Sequence, residues 1–140
     1  MSINYCIEDV PAPKIQKRKI TSWIKETVIS EGKTLGDISF VFCSDDYLLE
    51  VNKQYLNHDY FTDIITFDYV EDGVISGDIF ISCDRVKENA SAFKTGFENE
   101  LLRIVIHGVL HLLGYKDKSK KDKLLMTQKE DFYLALLSKS

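Results

Sequence analysis

The sequence predicts an α+β fold: one domain in which a four-stranded mixed β-sheet packs against helices, with a central buried helix that bears histidines. Three observations predict it. Short segments dense in β-branched and aromatic residues, bounded by Gly, Pro and Asp turns, fill much of the chain before Asp84. Beyond Asp84 the apolar spacing is helical nearly to the end. A length of 140 residues with 44% hydrophobic content supports one core and leaves little room for a second, so residues 1-140 are expected to form a single domain.

In chain order, residues 2–7 alternate weakly and are assigned to a first strand, with Pro11 and Pro13 marking a break and the start of a helix. From Ile15 the apolar positions Ile20, Trp23, Ile24, Thr27 and Val28 have helical spacing, and Gly32 ends that run. Residues 35–43 read as a buried strand centred on Ile38, Phe40 and Val41. Ser44, Asp45 and Asp46 then offer an N-cap to a helix carrying Tyr47, Leu48, Val51, Asn52 and Tyr55. After the polar stretch 57–60, residues 62–70 and 74–82 form two adjacent strands joined by the turn Glu71-Asp72-Gly73. Breaks near Gly96 and from Gly114 to Ser119 divide the helical remainder. The helix over 98–113 is apolar on most sides and belongs in the core, and the last helix, over 120–137, is expected to turn Leu124, Leu125, Phe132, Leu134 and Leu137 toward it.

Composition narrows function. A formal charge of −4 argues against coating nucleic acid through an overall positive field, although two local basic clusters exist. Lys14, Lys17, Arg18 and Lys19 read as a solvated helix face, while Lys116, Lys118, Lys120, Lys121 and Lys123 follow the histidine helix and stay open to either a solvated or a functional role. No run of eighteen apolar residues is present and the start of the chain lacks the pattern of a signal peptide, so a soluble, cytoplasmic protein without membrane partners is expected. Cys6, Cys43 and Cys83 are odd in number and far apart, and are expected to be buried thiols rather than a disulfide framework or zinc ribbon.

The chemistry concentrates in His107-Gly108-Val109-Leu110-His111. Residues four apart share a helix face, about 5–6 Å between Cβ atoms, so two imidazoles can converge on one metal ion, zinc by preference. Two buried imidazoles without a partner would be costly, and this chain places two of its three histidines on one turn of its most apolar helix. A His-Glu-x-x-His protease would carry its general base directly after the first histidine, where Gly108 stands, so peptide hydrolysis by that arrangement is excluded. The glycine instead allows close approach of a neighbouring strand or of substrate.

The segment His107-Gly108-Val109-Leu110-His111-Leu112-Leu113-Gly114-Tyr115 resembles the His-Gly-x-Leu-His-Leu-x-Gly-Tyr-Asp-His signature of the YbeY family, bacterial metal-dependent endoribonucleases of ribosomal RNA maturation. Asn52-Lys53-Gln54-Tyr55 with Thr62-Asp63-Ile64-Ile65-Thr66-Phe67 is similar to the family's Asn-x-x-Tyr-Arg and Thr-Asp-Val-Leu-Ser-Phe segments, and Gly77-Asp78-Ile79 to its Gly-Asp-Ile strand. Met126 and Glu130 fall where its last helix carries Met and Glu, and the likeness runs over about residues 35–135. The resemblance implies a single-strand-specific endoribonuclease acting late in ribosome maturation, in 16S rRNA 3′-end processing and rRNA quality control. Its partners would be single-stranded ribosomal RNA and the small ribosomal subunit or its assembly factors, and its cofactor one zinc ion per chain, with another divalent metal as the alternative.

Two departures locate the open questions. The family's third histidine is matched by Asp117, which becomes the third metal ligand if it is not merely a turn or capping residue, with His58 as the other candidate. The family's arginine after Asn-x-x-Tyr is matched by Leu56, which cannot meet a phosphoryl charge, so Lys116 is the substitute by position, as a point charge rather than a fork. Asp63 either orients water at the cleft or caps a strand; Asp78 carries the same ambiguity, and Tyr115 either stacks on a base or packs. Alternative readings are a metal-dependent hydrolase of another substrate, or a ribosome-associated RNA-binding factor with a structural metal.

Overall fold

The computed structural model describes residues 2–139, and in chain order they form β1 (Ile3–Ile7), α1 (Lys17–Ser30), β2 (Thr34–Cys43), α2 (Asp45–Leu56), β3 (Ile64–Asp68), β4 (Val74–Ser82), α3 (Cys83–Ala92), α4 (Phe97–Leu112) and α5 (Lys120–Ser138). The four strands make one mixed sheet in the order β1-β2-β4-β3. β1 and β4 run parallel to β2, and β3 runs antiparallel to β4 with Thr66 opposite Ile79. The expected α+β architecture, with its four-stranded sheet and adjacent β3–β4 pair, is therefore present. α1 begins at Lys17, later than the prolines suggest, because Gln16 rather than a Pro-led turn stands at its N-cap.

α4 packs on β3 and β4 and is flanked by α3 and α5. Leu101, Ile104, Val105, Ile106, Val109, Leu110 and Leu112 bury most of its circumference, as an almost wholly apolar helix must. One narrow face stays partly open, and both histidines are on it.

Two expectations need correction. Cys6 is exposed, since the two-residue period of β1 turns Tyr5 toward the core and Cys6 away. Cys43 and Cys83 are buried as expected, and burial pushes the Cys43 thiol up to about 12, which keeps it protonated and unreactive. In α5, Leu124, Leu125 and Phe132 are 62%, 43% and 55% exposed; the inward face is Met126, Glu130, Tyr133 and Leu137. Polar partners set that phase. Trp23 Nε1 donates to the Tyr133 carbonyl at 2.8 Å and Glu130 finds cationic and imidazole partners inside, so ranking side chains by apolarity misplaces the helix by about one residue.

Candidate metal centre and cleft

The four-residue spacing on α4 brings the His107 and His111 rings to 4.6 Å between centroids, nearly perpendicular. Gly108 lies on the side of that turn that faces the sheet: a Cβ there would sit 2.9 Å from Ile79 Cγ2 and 3.1 Å from Ile64 Cδ1. The glycine thus lets the histidine-bearing turn lie directly on β3 and β4, so the neighbouring element that approaches closely is the sheet.

α4 ends in a Schellman motif. Tyr115 N–H donates to the Leu110 carbonyl and Gly114 N–H to that of His111, both at 3.0 Å, with Gly114 at φ +105°, a conformation costly for any residue with a Cβ. The chain reverses there and returns over the histidine face. Asp117 Oδ2 comes to 3.5 Å from His107 Nε2, and donor atoms of His107, His111 and Asp117 all lie within 4.8 Å of one another. Neighbouring ligands of a tetrahedral ion with bonds of about 2.0–2.2 Å are roughly 3.3–3.6 Å apart, so this donor set fits a divalent cation with little movement.

Glu130 completes the arrangement from α5. Its Oε2 accepts from His107 Nδ1 at 2.7 Å while Oε1 accepts from Arg103 at 2.8 Å, and Arg103 also donates to Asp131 at 2.7 Å. A carboxylate only accepts, so the proton is on Nδ1 and the Nε2 lone pair is turned toward Asp117. Burial opposes charging His107, but the Glu130 hydrogen bond, with the charges of Glu130, Asp117 and Asp63, outweighs it and raises its pKa. Burial, and then repulsion from the His107 ring whenever that ring is protonated, lower the pKa of His111, which favours the neutral form a metal needs.

The loop between α4 and α5 is tied down at Tyr115. Its hydroxyl donates to Glu31 Oε1 at 2.5 Å, and Glu31 also accepts from Tyr133 and, at 3.4 Å, from Lys129. Tyr115 therefore packs and anchors the loop instead of offering a free face to a base. Burial alone would raise the Glu31 pKa, yet hydrogen bonds from Tyr115 and Tyr133 and the Lys129 charge depress it. A depressed carboxyl pKa gives stability that is fully present above the unfolded value of about 4.3 and lost as pH falls through the folded one. Glu31→Gln is accordingly expected to lower unfolding free energy by about 1–2 kcal/mol at pH 7, with the gap to wild type closing below about pH 4. Urea unfolding at both pH values checks this, and an undiminished gap in acid would contradict it.

A cleft of about 780 Å³ opens over the histidines, walled by the start of β3, by α3, by α4 and by the loop after Gly114. Asp63 and Lys116 both line it, and neither side chain has a hydrogen-bond or ion-pair partner among the described residues. His58, stacked on Tyr60 and 3.0 Å from its hydroxyl, is outside the cleft, as are Leu56 and Asp78, whose carboxylate accepts from Tyr69 at 3.3 Å. Sequence reasoning misses the roles of Glu130, Arg103 and Glu31. For Glu130 a signal exists, a carboxylate in register with Met126 and Leu137 on a buried helix face.

Paired imidazoles and carboxylates at the base of an open depression make a concave site with convergent polar groups, the kind of site in which a metal-dependent hydrolase holds its substrate. Comparison with known proteins makes this specific. Residues 6–138 match the family model described as endoribonuclease YbeY. Similar curated relatives, each described as endoribonuclease YbeY, include one from Parabacteroides distasonis, 51% identical over 98% of this chain and 96% of its own. Another, from Phocaeicola vulgatus, is 52% identical over 97% and 99%. The solution structure of TM1509 from Thermotoga maritima superposes with a TM-score of 0.67 at 30% identity, covering 97% of this chain and 89% of the other. This chain belongs to the endoribonuclease YbeY family. The expected endoribonuclease class and RNA substrate thus stand. No helix among the described residues is long and apolar enough to cross a membrane.

Proposed function

We propose that residues 1-140 act as one metal-dependent hydrolase domain, a single-strand-specific endoribonuclease that uses one zinc ion held by His107, His111 and Asp117. The observation that carries this reading is the convergence of those three side chains at the floor of the cleft, with His107 oriented by Glu130. Three protein donors leave a coordination position open, whereas a closed structural site takes four. When bound, such an ion supplies Lewis acidity, lowering the pKa of a water molecule toward neutrality and polarising a phosphoryl oxygen. Around it, Asp63 accepts a hydrogen bond from the attacking water and orients it, while the exposed Lys116 ammonium, which lines the cleft, meets a phosphate of the RNA as a point charge. Unpaired RNA suits the cleft because its bases can splay out to reach the walls. The cellular role is maturation of ribosomal RNA in the cytoplasm, at the 16S 3′ end and in rRNA quality control, in company with the small ribosomal subunit or its assembly factors.

The test is cleavage of an unstructured RNA and of a fully paired one, before and after chelation. Cleavage confined to the unpaired RNA, lost on chelation and restored by zinc, is expected. Cleavage that persists at full rate in chelator, or zinc-loaded protein that leaves both RNAs intact, would overturn the proposal.

A further inference from the structure

At the wall of the cleft formed by α3, two side chains one helical turn apart have no role in holding the metal. Phe93 is 67% exposed, although it lines the same cleft as the histidines. Asn89 lines the same wall, and its side-chain amide has no hydrogen-bond partner among the described residues. Neither is on a loose end. α3 stops in a Schellman motif, with Thr95 N–H on the Ala90 carbonyl at 2.9 Å and Lys94 N–H on that of Ser91 at 3.3 Å, which fixes Phe93 at the rim. Lys94 holds a positive φ of 55° in this turn without being glycine, so the chain adopts a costly backbone conformation at the residue after the ring.

We propose that Phe93 and Asn89 form a subsite for one unpaired nucleobase of the RNA, the ring stacking on the base and the amide hydrogen-bonding its edge. The proposal rests on the RNA-cleaving reading above and adds a contact that reading does not contain. A flat exposed ring is sequence-tolerant because every base has a π-face, and a side-chain amide supplies one donor and one acceptor for base edges. The charge of the cleft supports the choice of ligand. Five carboxylates line it, those of Asp63, Asp68, Glu100, Asp117 and Glu130, against the three cationic side chains of Arg103, Lys116 and Lys118, so the lining offers no positive surplus for phosphate and uncharged base contacts add to what Lys116 supplies. Tyr115, the other aromatic side chain of the cleft wall nearest the histidines, is already engaged by Glu31 and Lys129.

The experiment mixes zinc-loaded protein in a stopped-flow instrument with single-stranded oligoribonucleotides bearing 2-aminopurine at successive positions, whose emission falls when the base stacks. Quenching at one position is expected for the wild type, about tenfold weaker binding and no quenching for Phe93→Ala and Phe93→Leu, and near wild-type behaviour for Phe93→Trp. Asn89→Ala should keep the quenching and flatten the preference among bases at that position. Melting temperature and metal content, measured alongside, should not move. Absence of quenching in the wild type, or Phe93→Leu behaving as wild type, would overturn the subsite. Quenching that depends on Phe93 in a protein that cleaves no RNA would keep the subsite and sink the nuclease proposal instead, so the two fail separately.

Discussion

His111→Ala is expected to abolish the metal site and with it RNA cleavage. One of three protein donors disappears, and the remaining pair, His107 and Asp117, stands 3.5 Å apart with nothing to close the third side. Metal content after dialysis should fall from about one ion per chain to less than about a tenth of that, and cleavage by about 10³-fold or more, since losing several kcal/mol of Lewis-acid stabilisation costs a factor of ten per 1.36 kcal/mol. The fold should survive. His111 is only partly buried on the open face of α4, while the helix is held by Val105, Ile106, Val109 and Leu110 on its other sides. Mass spectrometry of the metal, far-ultraviolet dichroism and the cleavage assay measure the three outcomes. A variant that keeps its metal and cuts RNA at the wild-type rate would remove His111 from the mechanism.

Glu130→Gln is expected to act at one remove, through His107. The carboxylate holds the Nδ1 proton at 2.7 Å and so aims Nε2 at the Asp117 side. An amide of the same shape can accept that hydrogen bond through its oxygen but brings no charge, and it meets Arg103, a donor, with one acceptor fewer. Loss of such a supporting group weakens metal affinity by about 10- to 100-fold, which competition with a chromogenic chelator reads directly. Cleavage should fall at limiting zinc and recover at saturating zinc, a pattern that loss of a group touching the substrate would not give. Unchanged affinity would show that His107 is oriented by the packing of α4 alone.

Much of the fold and the centre of the site are legible in the amino-acid sequence, and what is hidden there is hidden for physical reasons. The histidine helix can be read because its apolar residues cover most of its circumference, and Gly108 because a glycine between two histidines signals close approach, here of Ile79 and Ile64, which a Cβ would force to shift. The hairpin of β3 and β4 shows in its alternation and in the Asp72-Gly73 turn, both residues of which take positive φ. The phase of α5 is not legible. Its inward face includes Glu130 and Tyr133, polar side chains buried because Arg103, His107 and Glu31 meet them, and those partners lie 23 to 102 residues away in sequence. Tyr115 is hidden in the same way: its anchor on Glu31 joins the end of α1 to the loop after Gly114, a contact that only the tertiary fold creates. Asp117 can be picked out by its position after Gly114, yet what brings it over His107 is the left-handed turn that ends α4.

The zinc affinity of Asp117→Ala beside the wild type, measured by chelator competition at neutral pH, decides whether the loop after Gly114 supplies the third metal ligand. A carboxylate that serves as third ligand predicts about one tightly held ion per wild-type chain and a loss of at least about 100-fold in affinity in the variant, with cleavage lost in parallel. Full affinity and full cleavage in Asp117→Ala would remove Asp117 from the metal centre, because the site would then be built from His107, His111 and a donor other than the one the loop presents.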